Sequence, residues 1–185
     1  MDPPARVPLF TRTFVALTVA DLAYFTAVGV SIFALPLYVT GPLAGDEFAA
    51  GAAFGVFAVS ALVLRPFAGR LADRLGRRPL LVGGALLASA CLALTAVATD
   101  LVAVIVLRLA AGVAEAAFFV AGFAALADIA PAERIGEALS YNSLGLYLGI
   151  ALGPLLGEAL LEGFGTRRRG SAPPRSRSPP RCSCP

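Results

Sequence analysis

Charged side chains inside long apolar stretches are the residues of this sequence whose positions could support chemistry. Asp21 lies in an apolar stretch near the N-terminus, and Arg108 and Glu115 lie together in a later one. On a helix, residues seven apart leave from nearly the same face, so Arg108 and Glu115 should share a face. A charged group inside a membrane is costly and must meet a partner or a water-filled cavity. The three residues therefore predict either a site that handles protons or a charged solute, or ion pairs that only stabilise a helix bundle.

The composition predicts that lipid, rather than water, surrounds most of the chain. Hydrophobic residues make up 58% of the 185 residues and charged residues 15%, and the mean hydropathy is +0.80. A soluble domain of this length would need more polar residues to form its outer shell. The sequence therefore predicts an integral membrane protein whose first partner is the lipid bilayer.

The residue types that are missing exclude several kinds of chemistry. The sequence contains no His, so catalysis by His and His-ligated metal sites are excluded. All 15 basic residues are Arg, so the phosphate-binding loop that requires Lys cannot occur. Cys182 and Cys184 form a lone C-x-C pair, which is weak evidence for a metal. We therefore expect no enzyme activity, no cofactor and no metal, and the positions of the Arg residues do not suggest a nucleic-acid partner.

Five apolar stretches are long enough to cross a bilayer as helices, which takes about 20 residues. The first of them is too long for a cleaved signal peptide, and Asp21 interrupts it. The sequence predicts an all-α integral membrane fold with five transmembrane helices, at residues 13–39, 48–68, 79–99, 101–127 and 138–160.

The distribution of Arg predicts the orientation of these helices. Arg6 and Arg12 precede the first stretch, four Arg lie between the second and third within residues 70–78, and Arg134 lies between the fourth and fifth. In the other two connections the only charged residues are acidic. Because Arg-bearing connections stay on the cytoplasmic side, we expect a multi-pass protein of the cell (plasma or inner) membrane with a cytoplasmic N-terminus.

The connection between the second and third stretches, Gly69–Arg78, reads GRLADRLGRR. Its two glycines would permit a tight turn between helices, and its arginines favour the anionic cytoplasmic surface. Asp73 is unusual in so basic a loop, and it could accept hydrogen bonds from the neighbouring arginines or from the N-terminus of another helix. A plain basic loop would explain the arginines but neither the glycines nor Asp73.

This loop resembles the signature loop of the major facilitator superfamily, a family of membrane transporters. In that family the loop lies between spans two and three and forms part of a cytoplasmic gate, in which its Asp docks on a helix of the second half. The resemblance covers roughly residues 10–164 and implies the gate role for Asp73. The pattern G-x-x-x-D-[RK]-x-G-[RK]-[RK] is matched at every defined position: Gly69, Asp73, Arg74, Gly76, Arg77 and Arg78.

The fourth span resembles the same family in the same register. The family's R-x-x-x-G pattern occurs here as Arg108 and Gly112. In the family this arginine is associated with the coupling of protons or substrate, so the resemblance implies that role for Arg108. Glu115 lies outside the pattern. Its role, and that of Asp21 as a proton carrier, rests only on the argument about buried charge.

In the fifth span a glycine recurs at every fourth residue, which places the glycines on one stripe where another helix can approach to backbone contact. The string G-x-x-x-G-P-x-x-G resembles the fifth-span motif of the family's proton-coupled exporters of drugs and other small molecules, although Glu158 stands where those often have another Gly. A second half is expected to pair with this stripe and with the shorter pair Gly51 and Gly55 in span two. The stripe consists of Gly145, Gly149, Gly153 with Pro154 beside it, and Gly157.

The last 21 residues differ abruptly from the rest of the chain. Residues 165–185 contain six Arg, five Pro and four Ser, which predicts a disordered tail after the membrane part, residues 1–164. Five spans from a cytoplasmic N-terminus would export this basic tail, against the charge rule. A native exported tail and out-of-frame translation of a G+C-rich gene are both open, and the charge rule favours the second.

The number of spans also bears on function. The family builds twelve helices as two six-helix halves around a central cavity, whereas this sequence supplies five. It therefore predicts an N-terminal fragment of a secondary transporter, which would exchange a small solute for protons and would be inactive without its C-terminal half. The alternatives are a non-transporting membrane module that assembles with another helical membrane protein, and the inert product of a broken gene.

The orientation can be tested by labelling single cysteines. After replacement of the three native cysteines, Cys in place of Asp46 or Arg168 should react with an impermeant thiol reagent in intact cells. Cys in place of Arg74 should react only after permeabilisation, because Arg-rich connections stay cytoplasmic. Labelling of position 168 only after permeabilisation would mean that the fifth stretch does not cross the membrane.

Overall fold

The computed structural model describes residues 9–169, and the side chains of residues 9–161. Within this range the chain is helical and contains no strand. All five α-helices are long and apolar enough to cross a membrane, which confirms the predicted class of an all-α, five-helix integral membrane fold. The helices are α1 (Arg12–Thr40), α2 (Glu47–Leu75), α3 (Arg77–Thr95), α4 (Leu101–Ile129) and α5 (Ile135–Arg169), with a 3-10 turn at Ala132–Arg134 before α5.

Three of the helices begin at a side chain that accepts a hydrogen bond from the first turn. Thr11 Oγ1 accepts from the Phe14 amide at 3.2 Å, at the start of α1. Asp46 and Asp100 do the same for α2 and α4, each at 2.8 Å. A carboxylate at this position also interacts favourably with the positive end of the helix dipole. The acidic residues of these two connections therefore have a local structural role as helix caps.

A single residue, Gly76, separates α2 from α3. Its φ of +89° lies in a region that favours glycine, because a Cβ would clash with the backbone there. The sequence predicts a loop from Gly69 onward, but α2 continues as a helix to Leu75. Gly69 is thus helical, and a Cβ on it would only touch Val120 of α4, at 3.9 Å. Of the two glycines, only Gly76 makes the turn.

The C-terminal helix extends into the segment for which the sequence predicts a disordered tail. α5 continues through Arg169, five residues beyond Phe164. The rest of the predicted tail, residues 170–185, lies outside the described residues, as do residues 1–8. Pro154 lies within α5.

The helices pack mainly as two pairs, α1 on α5 and α2 on α4, with α3 against α4. A buried apolar cluster joins the C-terminal end of α1 to the start of α2 and α4, and a smaller one lies at the opposite end of the bundle. Many large apolar side chains point outward, which suits a bundle whose surroundings are hydrocarbon. The larger cluster includes Leu35, Val39, Ala53 and Val104, and the smaller one Phe14, Leu126 and Ala138.

The glycine stripe of α5 is covered by α1. A Cβ on Gly149 would lie 2.7 Å from the Leu22 carbonyl oxygen of α1, and one on Gly29 would lie 2.7 Å from the Ile150 oxygen of α5. The two backbones are therefore in contact, which only small residues allow. The expectation that a second half would pair with this stripe is wrong for its glycines, because a helix of the same chain already lies on them. Gly145 and Gly157 extend the contact to Thr18 and Phe33.

The glycine pair of α2 has a different environment. A Cβ on Gly51 or on Gly55 would meet no atom within 4 Å, and both residues are exposed. These two glycines lie on a face of α2 that no helix of the described chain covers. Pairing of this face with a further helix stays a prediction.

The two sets of glycines provide a matched test of the α1–α5 contact. Gly153→Val should destabilise the bundle by about 1–3 kcal/mol or more, because the added side chain has no room against Gly29. Gly55→Val should leave stability almost unchanged, because its position is open. Thermal unfolding in detergent, followed by circular dichroism, measures both. Equal effects of the two substitutions would contradict the backbone contact.

Candidate transport site

Arg108 is buried in α4 and points toward α1. Its exposed fraction is 8%, and its Nη2 donates a hydrogen bond to Ser31 Oγ of α1. Its Nε finds no partner in the described part of the chain, and Arg108 forms no ion pair there. A buried guanidinium whose partner is a neutral hydroxyl remains largely uncompensated. This charge is therefore available to a ligand or to a shift of the helices.

Arg108 and Ser31 also line a cavity of the described chain. The cavity has a volume of about 580 Å³ and lies between α1, α2, α3 and α4. Volumes of a few hundred Å³ are typical of sites for small organic molecules. Its wall is mostly apolar, with alanines and the rings of Phe54, Phe57 and Phe118, while Arg108 is its charged member. The cavity could thus hold an apolar molecule beside a positive charge.

Glu115 lies two helical turns further along α4, and it pairs with α2. Its carboxylate Oε1 lies 3.7 Å from Nη2 of Arg65, and the side chain of Glu115 is 9% exposed. Its other oxygen, Oε2, has no hydrogen-bond partner among the described residues. The carboxylate is therefore buried with only a loose ionic contact.

Within the described residues Arg108 and Glu115 do not pair with each other, although Glu115 does form an ion pair within the bundle, with Arg65. Residues seven apart share a face, but they are separated by about 10.5 Å along the helix axis. At these two heights along its axis α4 packs against different helices, so Arg108 contacts Ser31 of α1 and Glu115 contacts Arg65 of α2. The helical periodicity predicts a shared face but does not determine the partners of the two side chains.

Arg65 is a functional candidate that the sequence reasoning missed. Its guanidinium carbon lies 4.4 Å from the ring centroid of Phe119, a distance typical of a cation–π contact. Phe119 stacks on Phe123 at 4.5 Å and meets Phe25 of α1 edge-on at 6.4 Å. The signal was present in the sequence, because Arg65 falls inside the predicted span 48–68 and a charge there requires a partner.

Gly112 has a packing role that the R-x-x-x-G pattern does not reveal. A Cβ on Gly112 would lie 2.6 Å from the Phe57 carbonyl oxygen of α2. Beside it, Ser60 Oγ of α2 donates to the Leu109 carbonyl oxygen at 2.7 Å. Gly112 therefore lets α2 approach α4 closely, one turn before the level of Glu115.

Asp21 lies in a separate polar contact between α1 and α5. Its Oδ2 accepts a hydrogen bond from Nδ2 of Asn142 at 2.5 Å, and the two residues are 2% and 0% exposed. Asn142 Oδ1 has no partner within the described chain. Sequence reasoning identified Asp21 but not Asn142, which lies in the uncharged part of the fifth span, residues 138–157. An amide can donate to an ionised carboxylate and accept from a protonated one, so it suits a carboxyl group in either state.

The residues of the gate motif lie in the last turns of α2, at Gly76 and in the first turn of α3. Asp73, Arg74 and Arg78 are exposed, and in the described chain Asp73 forms no ion pair. Arg77 Nε lies 2.7 Å from Asp128 Oδ2 and so links the start of α3 to the end of α4, although the N–H does not have hydrogen-bond geometry. The docking of Asp73 on another helix stays a prediction.

These features define a multi-pass helical membrane protein with buried charges beside an apolar cavity. The sequence model of the Major Facilitator Superfamily matches residues 17–168. Because this match covers most of the chain, the protein belongs to the Major Facilitator Superfamily.

Individual relatives agree with this membership. The chain is 34% identical over 136 residues, 72% of its length, to the multi-drug resistance efflux pump PmrA of Streptococcus pneumoniae. It is 38% identical over 63% of its length to the multidrug resistance protein MdtG of Dickeya zeae, and 28% identical over 75% to the quinolone resistance protein NorA of Staphylococcus aureus. The matched segments cover 34%, 28% and 35% of those proteins, so the chain spans about a third of their length.

The contact between Asp21 and Asn142 predicts a stability effect. Asn142→Leu leaves the buried Asp21 carboxyl group without a donor and should cost about 1–3 kcal/mol of unfolding free energy. Asp21→Leu combined with Asn142→Leu should recover part of this loss, because no polar group is then left unpaired. Denaturant unfolding in detergent measures both variants. Ser140→Ala, on the exposed side of α5, is the control, and a loss no larger than in this control would contradict the contact.

Proposed function

We propose that this chain provides the N-terminal helices of a secondary transporter that exports a small organic solute in exchange for protons. The observation that carries the proposal is Glu115, a buried carboxyl group on a central helix with one oxygen unpaired. Ionisable groups at such positions are rare in membrane proteins and are associated with proton and ion pathways. The name of one relative, the multi-drug resistance efflux pump PmrA, supports export as the direction.

The buried charged residues have distinct roles in this proposal. Glu115 takes up and releases the proton, and Asp21 provides a second carboxyl group for the same purpose. Arg108 holds the solute or senses its charge at the wall of the 580 Å³ cavity. A proton on Glu115 weakens its attraction for Arg65, so protonation and the α2–α4 contact are linked.

Transport follows alternating access, in which two halves rock about a site near the middle of the membrane. In this proposal the N-terminus is cytoplasmic, the protein lies in the cell membrane, and Asp73 at the α2–α3 turn closes the cytoplasmic side by docking on the second half. The five helices form one wall of the pathway. The 185-residue chain therefore does not transport by itself.

A chimera tests this function. Residues of this chain replace the matched 136-residue segment of the PmrA relative, and efflux of a fluorescent drug that this pump exports is measured in everted vesicles. The chimera should export the drug only while a proton gradient is present. Glu115→Gln should lower the rate about tenfold, the equivalent of losing ~1.4 kcal/mol of coupling.

Glu133→Gln is the matched control, because Glu133 is an exposed glutamate in the α4–α5 connection. It should leave efflux unchanged, and both variants should insert into the membrane to the same level. Efflux that survives Glu115→Gln at full rate would remove Glu115 from the mechanism. The unmodified 185-residue chain, reconstituted alone, should transport nothing; transport above empty liposomes would point to two copies acting together.

A further inference from the structure

The positively charged side chain of Arg65 lies beside both Glu115 and Phe119. The guanidinium of Arg65 lies over the face of the Phe119 ring at 4.4 Å and beside the Glu115 carboxylate at 3.7 Å. An aromatic face together with a carboxylate is the arrangement that binds planar, delocalised cations. The side chain of Arg65 thus shows which chemical group fits this position.

The contact is loose on both sides. Charge-assisted hydrogen bonds between a guanidinium and a carboxylate are normally about 2.7–2.9 Å long, and even the ion pair of Arg77 and Asp128, which lacks hydrogen-bond geometry, approaches to 2.7 Å. The distance between Arg65 and Glu115 is an ångström longer. In addition, Arg65 Nε and Glu115 Oε2 have no hydrogen-bond partner in the described chain. The carboxylate therefore keeps most of its capacity to bind a cation.

The two partners differ in their freedom to move. The side chain of Glu115 is 9% exposed and is held within the bundle, whereas that of Arg65 is 40% exposed. Arg65 is therefore the partner that could swing outward with the smaller change in helix packing, although its Nε is buried. Glu115 would then be left as a buried, unpaired carboxylate, which is unfavourable unless another cation or a proton takes the place of the guanidinium.

The ring of Phe119, over which the guanidinium of Arg65 lies, is held in place by other aromatic rings. Phe119 stacks on Phe123 at 4.5 Å and meets Phe25 edge-on at 6.4 Å, so neighbours on α4 and α1 hold its ring. A fixed ring face offers a flat surface to a flat cation without the entropic cost of ordering the ring at binding. This favours a planar head over a tetrahedral ammonium.

We propose that Glu115 and Phe119 form a binding site for a planar, delocalised organic cation of the guanidinium or amidinium type, and that Arg65 is its internal competitor. In the absence of a ligand the guanidinium of Arg65 occupies the site. An incoming cation displaces this guanidinium toward the exposed side of α2. Because one cation replaces the other, the negative charge of Glu115 stays balanced by a positive charge. The importance of this exchange for transport rests on the proposed function, but the binding itself does not.

Benzamidinium is a suitable probe, because it carries a planar cationic head, and benzamide is its neutral isostere. Binding of both is measured by calorimetry to the full 185-residue chain in detergent, with empty micelles subtracted. Arg65→Gln should bind benzamidinium about tenfold more tightly than the wild type, because the competitor is removed. Binding of benzamide should not change. Arg65→Met should behave like Arg65→Gln, so that the result does not depend on the folding of one variant.

Arg70→Ala is the matched control. Arg70 lies on the same helix with its guanidinium carbon 5.8 Å from the centroid of the Phe67 ring, and it forms no ion pair among the described residues. Its removal changes the net charge equally but should leave benzamidinium binding at the wild-type value. Addition of Glu115→Gln or Phe119→Leu to Arg65→Gln should abolish the gain.

Three outcomes would overturn the site: equal binding by the Arg65 and Arg70 variants, a parallel gain for benzamide, or a gain that survives Glu115→Gln. Binding and transport can also fail separately. A chimera without efflux, combined with the expected benzamidinium gain, would reject the proposed transport function and leave the cation site in place. Efflux that depends on Glu115, without any benzamidinium gain in the Arg65 variants, would support the function and reject this site.

Discussion

The buried polar contacts of the bundle depend on the close approach of helix backbones at two of its glycine contacts. Gly29 and Gly149 bring α1 against α5, and Gly112 brings α4 against α2. In lipid no hydrophobic effect drives helices together, so close packing and hydrogen bonds between helices must hold them. Both contacts exclude even a single added methyl group without a shift. They fix the distances across which the buried polar side chains find their partners.

The partner of each buried charged residue lies on a helix other than its own, and the three partners lie on three different helices. Asp21 of α1 meets Asn142 of α5, Arg108 of α4 meets Ser31 of α1, and Glu115 of α4 meets Arg65 of α2. The only ionic contact among these three is also the loosest in distance. Two of the three charges are therefore held by neutral groups, which satisfy hydrogen bonding but leave the charge uncompensated. Such an arrangement stabilises the bundle less than paired charges would, and it leaves the charges free to respond to a proton or a ligand.

The sequence predicted the helices well, because runs of apolar residues of transmembrane length have few alternatives in a chain this poor in charge. It also predicted that the glycines of α5 would lie against a helix. It did not predict which helix, because helical periodicity defines a face but carries no information about what lies opposite. Asn142 was missed for the same reason. Only its hydrogen bond to Asp21 of α1 distinguishes it from any other amide in a helix, and the sequence does not show that contact.

The boundary of α2 shows a further limit of the sequence reasoning. Basic residues and two glycines suggested a loop from Gly69, yet Leu71 and Leu75 continue the helix, and only Gly76 has a backbone conformation that ends it. Arginines mark the side of the membrane and not the end of a helix, since a helix can continue into the interfacial region. The roles of the gate residues and of the buried charges stay predictions, because they concern motions and partners beyond these helices.

The balance of charge inside the bundle constrains any mechanism that uses these residues. Among the charged residues that contact the interior of the bundle, Asp21 and Glu115 are balanced by Arg65 and Arg108, so the net charge of these four is zero when all are ionised. A proton on either carboxyl group leaves a positive charge without a counterpart, which is unfavourable in a medium of low dielectric. Arg108 is nearly buried and cannot leave, whereas Arg65 is partly exposed and can. In the proposed mechanism, protonation of Glu115 and withdrawal of Arg65 therefore favour each other, which would link proton uptake to the opening of the position between Glu115 and Phe119.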